Sequence, residues 1–190
     1  MRRDRPSGAP APVLAMRILP PFAALLVLAG SAVAQQFPGD KKYGEYYDEK
    51  KQWSEQEVAF PAFPQPADLI EFDAGAASRN RHYVDAATLT VGGDRVVRYV
   101  VVIKTPGGAT NISFEGLRCE ARLGRHYGFG RADGTWAKAR QSDWKALRPG
   151  SYQSVLSKEY FCPGQTPIFK AEEGVDALRR GGHPLARGVE

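Results

Sequence analysis

Cysteine, histidine and methionine are scarce in this chain. Its 190 residues hold two Cys, three His and two Met. His82, His126 and His183 form no HxH or HxxxH pair and sit near no carboxylate cluster, so the common zinc patterns are excluded. No metal and no cofactor are expected. G-x-S-x-G, P-loop and H-E-x-x-H motifs are also lacking, which removes the most recognisable hydrolase and nucleotide chemistries. Asp133 is accounted for as a turn residue. Asp85 is accounted for by bonding to its own backbone at a strand irregularity. The chain therefore reads as a non-enzyme, and a pocket uniting His82, His126 and Asp85 would be the sign of the contrary. A long apolar run is missing too. Phe22–Ala29 is too short to span a bilayer.

What that run does fit is a leader. From Met16, one early Arg, a short apolar core and Ala32-Val33-Ala34 reproduce the secretory pattern with its small-x-small cleavage site. Residues 1–34 are thus expected to be a signal region, with Met16 a plausible true start. The remainder, from Gln35, is 156 residues, enough for one domain with a real core. The leader carries four Arg and one Asp, so the formal charge of +5 falls to +2 for the mature part. The basic balance is then no argument for nucleic acid, and no transmembrane segment is expected in the mature chain.

Both cysteines lie in that mature part. In an exported chain a pair such as Cys119 and Cys162 is expected to be bonded. A redox pair or two metal ligands are the alternatives. Neither a CxxC nor a clustered His supports them. A bridge would close a 44-residue loop and, on the chain-entropy argument, stabilise the fold by roughly 4 kcal/mol.

The strongest patterning is in residues 81–119. Tyr83-Val84 and Thr88–Val91 suit a pleated surface, and Gly92-Gly93-Asp94 signals a hairpin. Val96–Ile103 is apolar in both alternation phases, which predicts a strand covered on both faces. Arg98 interrupts it and is expected near one end or snorkelling to water. Thr105-Pro106-Gly107-Gly108 turns the chain into a third strand that reaches Cys119. Asp68–Asp73 reads as a short edge strand. His126–Arg131 and Thr135–Lys138 read as a further hairpin about Asp133-Gly134. Ser142-Asp143-Trp144 opens another short segment. Spacings of three and four in Ser151–Phe161 predict a helix, and Ala171–Arg180 a second, with its acids early and its bases late. The fold class is α+β: an antiparallel meander of five or six strands, one or two C-terminal helices on one face, and one disulfide.

Around this domain, residues 68–182, lie two flanks. Residues 35–67 form an acidic, aromatic, proline-rich arm, with a short helix expected over Glu45–Gln56 and an extended passage after it. Its aromatics are expected to anchor it to the domain. The rival reading is a partner-binding segment. Residues 183–190 are expected to be a flexible tail. From Arg118 to Arg148 the chain turns basic, with eight Lys or Arg against three acids. Arg118, Arg122, Arg125, Arg131, Lys138 and Arg140 are the candidate anion-binding face. Its candidate partners are anionic lipid headgroups, an acidic glycan or the chain's own arm.

Several separate stretches carry a resemblance. They are Tyr83–Leu89, Val97-Arg98-Tyr99, Ser113–Gly116 with Arg118-Cys119, Phe129–Trp136 and Tyr160–Pro163. In this order they resemble the CNP-like (cryptic neisserial protein-like) family of exported proteobacterial proteins, over roughly residues 50–185. The resemblance implies export and a shared domain, and no reaction. A looser likeness, through Val84-Asp85, Cys119, Trp144, Pro149-Gly150-Ser151 and Cys162, is to surface-adhesin protein E-like domains. It implies a curved sheet with a helix stapled across it. The function these features imply is that of a periplasmic binding or scaffolding domain, with an unknown envelope protein or an anionic envelope component as partner. The alternative is a secreted or surface-exposed adhesin-like binder.

Overall fold

Alternating β-branched and aromatic residues in 81–118 pair as three long neighbours, and everything else packs around them. The computed structural model describes residues 53–76 and 78–188. The leader, the arm before Trp53 and the last two residues lie outside them; of the helix expected over Glu45–Gln56, the described residues 53–56 are not helical. Strands β1 (Leu69–Phe72), β2 (Arg81–Val91), β3 (Val96–Lys104), β4 (Thr110–Arg118), β5 (Leu123–Gly130) and β6 (Trp136–Lys138) form an antiparallel meander in sequence order. A two-residue strand, β7 (Lys145–Ala146), pairs with β5 beside β6. Helix α1 (Tyr152–Val155) runs on as a π-helical turn, Leu156–Phe161, and α2 is Ala171–Arg179. Cys119 and Cys162 are bonded, with their Cα atoms 5.3 Å apart, which ties the end of β4 to the end of the π turn. Among the described residues no helix is long and apolar enough to cross a membrane.

The sheet is covered twice, as the two-phase burial of β3 requires. On one face Val84, Leu89, Val97, Tyr99, Val101 and Leu117 meet Leu156, Tyr160, Phe161, Ile168, Ala177 and Leu178. Gly174 lets α2 come this close. A Cβ there would lie 2.6 Å from Ile168 and 2.7 Å from Leu89. On the other face Tyr83, Val100, Val102 and Phe114 are covered by Val58, Leu69, Tyr127 and Trp136. The arm is therefore a layer of the structure. Phe60 stacks on Trp136 at 5.8 Å, Phe63 lies 5.4 Å from the same ring, and Trp136 Nε1 donates to the Pro61 carbonyl at 2.9 Å.

Three expectations change. Arg98 does not snorkel. It is 4 % exposed, in a bidentate pair with Asp94 and 3.8 Å from Glu55. Its place, third of the nine residues of β3, is near one end as expected, but acids on two sides, and not water, meet its charge. The first hairpin places its positive φ on Arg95 (64°), not on Gly92 or Gly93. Gly92 is needed for space, because a Cβ would lie 2.9 Å from the Gln56 side chain and 2.5 Å from Arg98. The tail begins later than expected. His183 is buried, its Nε2 2.9 Å from Glu173 Oε1 and its N–H donating to the Glu159 carbonyl at 2.7 Å.

Candidate functional site

Glu115 sits in β4, whose alternation turns its carboxylate towards the helices, and it is wholly buried. A lone carboxylate there would be prohibitively costly. Five donors satisfy it. Tyr152 OH donates at 2.7 Å, Gln153 Nε2 at 2.9 Å and Tyr99 OH at 3.2 Å, with the Ser113 hydroxyl at 2.5 Å. The fifth is His126, whose Nε2 lies 3.2 Å from Glu115 Oε1. A bulge in the β4–β5 pairing, where Phe114 faces Gly128 but Glu115 faces His126, brings the imidazole round to this face. Tyr127 is left on the opposite face, against Phe114 and the arm.

Burial by itself would raise the Glu115 carboxyl. The hydrogen bond and charge of His126, with Ser113 and Tyr152, hold it below the usual carboxylate range. The hydrogen bond to Glu115 in turn raises His126 above its ordinary value, against its own partial burial. Burial, then the Glu115 charge, pushes Tyr99 and Tyr152 up, so both stay protonated donors. Both shifts favour the carboxylate–imidazolium form of the pair. One side of His126 opens into a cavity of about 190 Å³, which Lys145, Arg148, Gln141, Gln153 and one acid, Asp143, also line. No Ser, Thr or Cys lines it.

The six residues expected to form one basic face do not all stay together. Arg118 stacks on Trp53 with its guanidinium 3.5 Å from the ring centre, and Arg125 pairs with Glu55. Glu55 also accepts from Tyr127 OH at 2.6 Å and from Trp144 Nε1 at 3.1 Å. The chain's own acidic arm is what these bases meet. Lys138 is exposed beside that contact, and Arg140 is exposed after β6. Arg131 lies in the β5–β6 turn. Arg122 turns away, bonding Gln165 at 3.1 Å. His82 packs on Tyr152 and Phe72, on the Glu115 face. Asp85 alternates with Val84 onto the opposite face, where Oδ1 accepts from the Ala87 N–H at 3.1 Å. The three residues that would have signalled an enzyme do not converge. Among the described residues no group of His, Cys, Asp and Glu is arranged to hold a metal ion.

Sequence reasoning missed Glu115 and the His126 pairing. The available signal was a Glu in a strand otherwise turned to the core, but the bulge that brings His126 opposite it has no mark in the sequence. The comparisons agree with the motifs. The sequence matches the family described as CNP1-like over residues 48–179. The chain belongs to the CNP1-like family. The matched span opens within the arm and closes at the end of α2, so it takes in both layers that cover the sheet. No curated protein and no solved structure matches the CNP1-like chain.

Proposed function

We propose that this CNP1-like chain is an exported, non-enzymatic binding domain of the bacterial periplasm, and that it takes an anionic component of the envelope at the His126 cavity. The observation that carries the reading is the Glu115–His126 pair. A fully buried carboxylate holds the His126 imidazole at a cavity wall beside Lys145 and Arg148 and raises its affinity for a proton. Buried charge of this kind is costly to maintain, and a basic imidazole at the cavity wall is what it provides here. The lining supports binding over catalysis, since it presents donors and cations and lacks a hydroxyl or thiol nucleophile. Export is supported by the leader pattern and by the bonded cysteines, which persist in oxidising compartments. The basic face enters in a reduced form, because Arg118 and Arg125 are occupied by Trp53 and Glu55.

Titration with inorganic phosphate, followed through the His126 ring resonances, tests the site. Saturable shifts that vanish in a Lys145→Ala/Arg148→Ala variant are expected. Shifts unchanged in that variant would refute it. Localisation is tested by protease treatment of intact cells beside an osmotic-shock extract. Protection in cells and release on shock are expected, whereas cleavage on intact cells would favour the surface-exposed adhesin-like reading.

A further inference from the structure

A second cavity, of about 460 Å³, lies on the other side of Leu147, which lines both. This is within the range of small-molecule sites. Its apolar wall is the Cys119–Cys162 disulfide with Leu147, Pro149 and Ala186. Two cations line it, Arg122 from the β4–β5 turn and Lys158 from the π turn, the latter with its Nζ 3.3 Å from the exposed Glu159 carboxylate.

Unusual backbone converges on this one place. Arg122 (φ 54°) and Gln165 (φ 66°) are two of the three non-glycine residues with positive φ among those described. Both line the cavity, and they bond to each other, Arg122 Nε to Gln165 Oε1. Left-handed non-glycine residues cost of order 1 kcal/mol or more each and gather where a ligand must be clamped. The π-helical turn Leu156–Phe161, a second feature frequent at functional sites, supplies Ser157 and Lys158. The Arg122–Gln165 bond holds the guanidinium by its Nε edge. Among the described residues Arg122 has no carboxylate partner, and the Gln165 bond uses only its Nε.

We infer that this cavity binds a single-chain anionic amphiphile, with the apolar chain against the disulfide and Leu147 and the anionic head on Arg122 and Lys158. An apolar wall alone would not choose between occupants. Arg122, with Lys158 whose pairing to Glu159 is exposed and weak, and with no acid lining the cavity, selects a negative head. This site is separate from the His126 cavity and does not rest on that reading, since neither cation belongs to the other lining.

The test is calorimetric titration of the oxidised full domain with dodecanoate and with dodecyl phosphate, each as monomers, and with dodecyltrimethylammonium as the cationic control. One saturable site for at least one anionic chain is expected, with no site for the cation. Arg122→Gly/Lys158→Ala should weaken it at least tenfold. Glycine suits the left-handed position, so this variant keeps the fold. Ala186→Trp, which fills the cavity, should abolish binding while phosphate shifts at His126 persist. Tighter binding of dodecyl phosphate would assign a phosphate head, and tighter binding of dodecanoate a carboxylate. Absence of a saturable site, equal binding of the cationic chain, or unchanged affinity in the double variant would overturn the inference.

Discussion

Glu115 shows what a single residue can organise. Its carboxylate joins β3, β4, β5 and α1 through Tyr99, Ser113, His126, Tyr152 and Gln153. Glu115→Gln keeps the shape but turns an amide towards groups that donate, and it removes the charge that holds His126 protonated. Breaking a buried pair in this way is expected to cost about 3 kcal/mol of unfolding free energy, read from urea melts near pH 6. The pH dependence has a definite sign. His126 is raised in the fold, so its contribution is complete below about pH 6.5 and is lost as pH rises through the folded value. Glu115 is lowered, so its contribution is present above about pH 4.3 and is lost as pH falls through the folded value. The difference between wild type and Glu115→Gln should therefore be largest between those limits and shrink on either side. His82 works the other way. Burial pushes its imidazole down, so it opposes folding as pH falls below about 6.5. Comparing variant with wild type cancels that background. A difference that is flat with pH would show that the pair is not ionised.

At the level of elements, β5 is the crossroads. Gly128 has no Cβ because the Phe60 ring of the arm occupies that place and the Ala137 carbonyl lies 2.8 Å from it. Gly128→Ala should expel Phe60. A loss of about 1–3 kcal/mol and faster protease cleavage within residues 53–67 are expected. Unchanged cleavage would mean that Phe60 does not seat the arm. The elements themselves were largely legible. β-branched and aromatic runs between Gly- and Pro-rich turns marked β2 to β4, the Asp133-Gly134 turn marked β5 and β6, spacings of three and four marked α1, and early acids with late bases marked α2. Asp133-Gly134 and Gly107-Gly108 turned as expected, with positive φ at Gly134 and Gly108. Less legible were features set by partners far along the chain. The burial of Arg98 depends on Glu55 as well as on nearby Asp94. The pairing of His126 with Glu115 depends on a bulge. Of the six basic residues, Arg118, Arg125 and Lys138 stay together on the arm side, whereas the β4–β5 turn sends Arg122 to Gln165.

For the whole molecule, the cross-link at Cys119 and Cys162 holds together the two covers on the helix side, β4 and the π turn. Replacing both cysteines by Ala should lower the unfolding free energy by about 4 kcal/mol on the chain-entropy argument. A non-reducing peptide map should show the two peptides joined. Two free thiols, or a variant as stable as wild type, would count against the bond. The fold without it is still a meander of local hairpins, so the variant is expected to remain folded at low temperature.

The arm's contacts reach across most of the domain: Glu55 meets Arg125, 70 residues on, and Trp144, 89 residues on. Each hairpin, by contrast, is closed by a turn of a few residues. Synthesis runs in the opposite order, since the arm emerges before any strand it covers. For the whole time that β2 to β5 are being made, Trp53, Phe60 and Phe63 have no surface to rest on. A chain stopped before Trp136 would carry Phe60 and Phe63 without the ring they pack on. The first segment to appear is the one that must wait for almost the last, and completion of the fold is signalled by that segment going dark to proteases.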